Sequence, residues 1–138
     1  MRFNIGYILR ISLVSALGGL LFGYDWVVIG GAKPFYEKYF EIIHSPNLQG
    51  FAMSSALLGC ILGALISGLV SDKYGRKRSL ILSAILFSVS AIGTGYANVL
   101  SSFIIFRLLG GIGIGLASTQ SPIYIAEISP GFWRGKLV

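Results

Sequence analysis

The sequence predicts an all-α membrane protein of four transmembrane helices, with both termini in the cytoplasm. Three observations predict it. Hydrophobic residues make up 54% of the 138 and charged residues only 12%, with a mean hydropathy of +0.78. A soluble domain carries about a quarter charged residues, and half that share leaves too little polar surface to cover a globule of this size. The apolar residues gather into four runs, each close to the roughly 20 residues a helix needs to cross a bilayer. The charges fall between those runs, mostly on one side. This composition excludes disorder and argues against a soluble enzyme. A net charge of +6 would suggest nucleic acid as partner of a soluble chain. Membrane topology accounts for it here, so no nucleic-acid partner is expected. The lipid bilayer is the partner the composition requires.

The first run covers residues 7–31. It is too long for the apolar core of a signal peptide, and no small-x-small cleavage site closes it early, so it is kept as a helix. Residues 32–49 form a polar connection with Pro34 and Pro46 at its two ends. Its charges, Lys33, Glu37, Lys38 and Glu41, cancel. The second run spans 50–70, the third 79–97 and the fourth 101–125. A basic loop from Ser71 to Arg78 joins the second to the third, and a tight turn near Asn98 joins the third to the fourth. Lysine and arginine set the orientation. One side holds Arg2, Arg10, Lys73, Arg76, Lys77, Arg78, Arg134 and Lys136, and the other only Lys33 and Lys38. The richer side is cytoplasmic, and an even helix count requires the same placement of the termini. The single cysteine, Cys60, lies in an apolar run as a small packing residue, and the single histidine, His44, lies in a connection. Neither an internal disulfide nor a cysteine–histidine metal site can be built from them, and no metal or cofactor is implied.

Asp25 and Arg107 are the charges inside the spans. A charge in the hydrocarbon costs several kcal/mol unless paired or hydrated, so each is a candidate functional residue. Asp25 lies about six residues and Arg107 about seven from the outer end of its run, or roughly 9–11 Å at the helical rise. Equal depth makes an Asp25–Arg107 pair feasible. Two readings stand side by side. A static pair would fix helix packing, although desolvation offsets much of its attraction. Alternatively the carboxylate gains and loses a proton, since a nearby arginine favours the ionised form and burial without a partner favours the neutral one.

Small residues recur on two runs: Gly59, Gly63, Ala64 and Gly68 on the second, and Gly110, Gly111, Gly113 and Gly115 on the fourth. Such spacing lets helix backbones approach closely in lipid. The fourth run, dense in glycine and carrying a buried arginine, is expected inside the bundle, where it can slide against a neighbour. Its Gly111–Gly115 stretch follows no strand and is no phosphate-binding loop.

A plain positive-inside loop explains Lys73, Arg76, Lys77 and Arg78 but not Asp72 or Gly75. Gly68, Asp72, Lys73, Gly75, Arg76 and Lys77 spell G-x-x-x-D-K-x-G-R-K. This resembles the signature loop between helices two and three of the major facilitator superfamily. Pro122 to Pro130 followed by Arg134-Gly135 reads P-I-Y-I-A-E-I-S-P-x-x-x-R-G and resembles the sugar porter motif at the inner end of helix four. Arg107 to Gly115 resembles that family's R-x-x-G-G-x-G-x-G, and Gly18 to Asp25 its G-G-L-L-F-G-Y-D. The four motifs, in order along essentially the whole chain, resemble bacterial proton-linked sugar symporters of the xylose-transporter type. The resemblance implies that Asp25 is the proton-coupling carboxylate, Arg107 its partner and Phe22 an aromatic lining the sugar cavity. It implies a cytoplasmic charge network of Asp72 and Arg76, extended by Glu127 and Arg134, that latches the two transporter halves. Gly68, Gly75, Lys77 and Gly135 belong to the same gating motifs. The implied partners are a monosaccharide (xylose or another pentose or hexose) and a proton, and the implied location is the inner cell membrane. Trp26 departs from the pattern, where many members carry a small residue, as does Gly30-Gly31. Trp26 either narrows or reshapes the cavity mouth or faces a neighbouring helix, the commoner case for a single aromatic in a membrane span.

Such transporters have two six-helix halves built of inverted three-helix repeats. Twelve spans need about 240 residues in the membrane alone. The chain, residues 1–138, is therefore expected to be the N-terminal portion of a major facilitator domain without helices five to twelve, and not to transport sugar alone. Two other functions compete. A complete small four-helix dimeric exporter of cations would use Asp25, but Arg107 would repel its cargo. A non-transporting membrane partner protein is the other. An enzyme is not expected: the spans hold no nucleophile–base pairing and no paired acids.

Overall fold

The computed structural model of the chain describes residues 5–132 and 134–137, so Arg2 lies outside the described residues. The described elements are α1 (Ile5–Tyr39), α2 (Pro46–Tyr74), α3 (Arg76–Gly95), α4 (Leu100–Ile128) and a short α5 (Arg134–Leu137). The first four are each long and apolar enough to cross a membrane.

The helices overrun the apolar runs, and the overruns have physical causes. α1 has 35 residues and continues through Pro34, where the sequence placed the start of a polar connection. A proline inside a helix costs about 3 kcal/mol. Packing of the last turns offsets that cost. Ile29 and Tyr36 bury themselves against Ile42, Ala52 and Phe103. The Tyr36 and Phe40 rings lie 5.3 and 5.4 Å from that of Phe103. Lys33 and Glu37 pair one turn apart at 3.7 Å. The polar connection thus shrinks to residues 40–45, closed by the Gln49 amide, which donates to the Ile42 and Ile43 carbonyls at 3.0 and 2.9 Å. Pro46 then opens α2, at a helix start where its missing N–H costs nothing.

The basic loop between the second and third runs is mostly helical. Asp72 and Lys73 lie on the last turn of α2, and Arg76, Lys77 and Arg78 on the first turn of α3, leaving Gly75 alone between them. Gly75 has φ +86° and ψ 155°, a conformation essentially confined to glycine. Its N–H donates to the Ser71 carbonyl at 2.8 Å and closes α2.

α4 is the centre of the bundle. Of its most apolar window 50% is buried, against 11% for α1. Glycines make this possible. A side chain on Gly59 or Gly63 of α2 would run into the Leu108 and Ile112 carbonyls of α4, and one on Gly111 or Gly115 of α4 into the Ala56 and Cys60 carbonyls of α2. Gly110 and Gly113 face α3, where Ser90 and Ser83 are their neighbours. The buried face of α3 is accordingly serine (Ser79, Ser83, Ser90), and its bulky apolar residues such as Ile85 and Ile92 point outward. This inside-out pattern belongs to helices that pack in lipid, where close backbone contact rather than hydrophobic burial drives association. Gly68 differs from the expected stripe: nothing lies within 4 Å of where its side chain would be. It sits on the exposed side of α2.

α1 meets α4 along a narrow seam. Gly18 packs on Ala117 at 3.3 Å, and the Ser121 hydroxyl donates to the Ser15 carbonyl. Tyr36 and Phe103 close the other end.

Candidate functional site

Midway along the α1–α4 seam, Arg107 Nη1 donates to Asp25 Oδ1 at 2.6 Å. The side chains are 9% and 18% exposed, so the pair is held where water screens it little. α4 supplies the arginine from its glycine-rich, most buried stretch. α1 supplies the carboxylate from a face with little other cover. Arg107 Nε is buried without a hydrogen-bond partner among the described residues. Asp25 and Arg107 are paired, as their positions along the two runs make feasible. With α1 running on to Tyr39, Asp25 lies about 21 Å from that helix end. The two residues meet because α1 overshoots the start of α4.

Beside the pair lies a narrow crevice among α1, α2 and α4, with about 10 Å³ of free space, lined by Phe22, Asp25, Trp26, Leu57, Cys60 and Arg107. Phe22 is 38% and Trp26 40% exposed. Trp26 borders the crevice as well. Cys60 borders it too, while its carbonyl packs on Gly115.

A second cluster lies at the basic end of the bundle, centred on Arg76. Its Nε donates to Glu127 Oε1 at 3.1 Å, its Nη1 approaches Asp72 Oδ1 at 3.6 Å, and Nη1 also donates to the Ser71 hydroxyl. One guanidinium therefore ties the last turn of α2, the first turn of α3 and the last turn of α4. Cations on the first turn of a helix oppose its dipole, and the two carboxylates offset this at Arg76. Ser71 is buried and was missed by sequence reasoning, because serine is common on these helices and nothing in its spacing marks it. Lys77 stands outside the cluster, on the wall of a groove between α1 and α3. Arg134 and Gly135 lie exposed on α5, and among the described residues Arg134 makes no ion pair. The structure thus joins Asp72, Arg76 and Glu127 but does not bring Arg134 to them.

A bundle of membrane-crossing helices with small-residue seams, a buried carboxylate–guanidinium pair between two of them and a charge cluster at one end defines part of a major facilitator fold. The structure of the proton:xylose symporter XylE bound to 6-bromo-6-deoxy-D-glucose matches it with a TM-score of 0.92 at 39% identity, over 98% of this chain and 34% of that one. The model of the sugar (and other) transporter family matches residues 11–138, and the chain belongs to that family. Among curated relatives, a glucose transport protein of Synechocystis sp. is 47% identical over 97% of this chain and 28% of its own length. The D-xylose-proton symporter of Escherichia coli K12 is 40% identical over 99% of this chain and 33% of its own length. The chain spans about a third of the length of the relatives it matches.

Proposed function

We propose that this chain is the N-terminal part of a proton-coupled sugar symporter that works by alternating access in the inner cell membrane, its N-terminus and basic end in the cytoplasm. The observation that carries the proposal is the buried Asp25–Arg107 pair at 2.6 Å. In this reading Asp25 is the proton carrier and Arg107 the counter-charge. Protonating Asp25 removes the negative charge that holds Arg107, and the α1–α4 seam loses its central tie. The remaining contacts of that seam are small residues, the Ser121–Ser15 hydrogen bond and one aromatic contact, and small residues permit one helix to shift against the other. Phe22, beside the pair, offers the sugar an aromatic face. The Asp72–Arg76–Glu127 cluster is the cytoplasmic latch, and Lys77, Arg134, Gly68, Gly75 and Gly135 complete its motifs. Arg134 reaches its partners in the assembled transporter. The work is transport rather than catalysis.

The cargo is a pentose or hexose, in keeping with the xylose and glucose named for the relatives. Sugar-induced proton uptake tests the reading. D-xylose, L-arabinose or D-glucose, added to a lightly buffered suspension of cells making the full-length protein, is expected to raise the external pH as the sugar enters. Sugar entry with no pH change would make the protein a facilitator, and no entry of any of the three would remove sugar from the proposal.

A further inference from the structure

We propose that Trp26 is a specificity-determining residue of the sugar cavity, its indole extending the aromatic wall begun by Phe22. The proposal rests on the sugar-symporter reading above.

Phe22 and Trp26 are one helical turn apart and so share a face of α1. Both border the cleft that holds Asp25 and Arg107, and both keep more than a third of their surface open. An aromatic this open in a membrane helix usually belongs to the interfacial belt, but Trp26 is too deep for that. It lies inside the apolar run, about 10 Å from the midpoint of that run. The edge of the hydrocarbon is about 15 Å from its centre. Trp26 thus presents an aromatic face and an indole N–H beside the ion pair. A sugar needs both. Its C–H faces are apolar and pack on the negative face of an aromatic ring, while its hydroxyl rim needs placed donors and acceptors. The bulk of an indole one turn from Phe22 also limits the ring substituents that fit, so it acts on the choice between pentose and hexose.

The test is made in the full-length transporter. Trp26→Ala is expected to raise KM for the transported sugar about three- to tenfold, the size of an aromatic packing contact. It should leave the maximal exchange rate within about twofold, the split expected for binding lost equally in ground and transition states. The ratio of kcat/KM for D-xylose over D-glucose is expected to shift by a similar factor. Trp26→Phe, which keeps the ring, should restore KM toward wild type, as a merely structural role for the indole would not predict. A measurement without any variant guards against misfolding: in wild-type protein, saturating sugar should protect Trp26 from hydroxyl-radical oxidation read by peptide mass. Transport by the wild type, with KM and sugar ratio unchanged in Trp26→Ala or with Trp26 oxidised equally with and without sugar, overturns the proposal and leaves the symporter standing. A wild type that moves no sugar overturns both.

Discussion

At the scale of single residues, two positions hold conformations or contacts that no other side chain reproduces. Gly75 turns the chain between α2 and α3 at φ +86° and ψ 155°. Gly75→Ala is expected to cost about 1–3 kcal/mol, measured as a lowered melting temperature of the purified transporter; an unchanged midpoint would show that the turn relaxes. Arg76 reaches Glu127, Asp72 and Ser71 at once because a guanidinium presents several donors in a fixed fork. Lysine is one point charge and cannot span the three. Arg76→Lys is therefore expected to lower transport nearly as far as Arg76→Ala, by about tenfold or more, the usual range for a broken charged network. Uptake of labelled sugar at equal expression checks it, and full activity in the lysine variant would show that charge alone suffices. Asp25 and Arg107 were legible in the sequence, because a charge in an apolar run stands out against its cost. Ser71 was not legible: its role depends on where Arg76 folds back.

At the scale of elements, α4 is positioned by what it lacks. Gly111 and Gly115 sit against the backbone of α2, and Gly110 and Gly113 against α3. Gly111→Val is expected to force α2 and α4 apart and to cost about 1–3 kcal/mol or more by overpacking. Gly19→Val, with open space around it, should cost little. Thermal unfolding of the two variants side by side measures the contrast, and equal losses would contradict the proposed contact. The centrality of α4 was readable from its glycine density, since close approach in lipid demands small residues. The ends of the elements were less readable. Apolarity marks the stretch that crosses the bilayer, whereas helical hydrogen bonding continues past it wherever later side chains find partners. Tyr36 and Phe40 do so against Phe103, and α1 runs through Pro34 for that reason. For the same reason Arg76 to Arg78, read as loop, form the first turn of α3.

At the scale of the whole molecule, the chain is a bundle with much uncovered apolar surface. Most of α1 meets no other described element, with only 11% of its most apolar window buried. Lipid or further helices must cover it. The chain matches about a third of the solved symporter, and the alternating-access cycle needs two halves around one site. Residues 1–138 alone, placed in liposomes, are therefore expected to give no sugar uptake above protein-free vesicles. Uptake by this segment alone would favour a small dimeric transporter instead. The family was legible in four motifs, which hold the glycines of close backbone approach, the buried Asp25–Arg107 pair and the charge cluster around Arg76. That Trp26 borders the crevice beside the ion pair depends on the mutual placement of three helices, and spacing along one helix left it open between that place and a helix contact.

The central claim is that the Asp25–Arg107 pair carries the coupled proton, and one variant tests it most directly. Asp25→Asn in the full-length protein keeps the shape of the side chain and removes its charge. Proton-driven accumulation of sugar in proteoliposomes is expected to vanish, while exchange of labelled for unlabelled sugar across the same membranes persists within about threefold of wild type, since exchange needs no net proton movement. Accumulation by Asp25→Asn at the wild-type level would contradict the account and leave the pair a fixture of helix packing. Equal loss of accumulation and exchange would likewise show a structural rather than a coupling role.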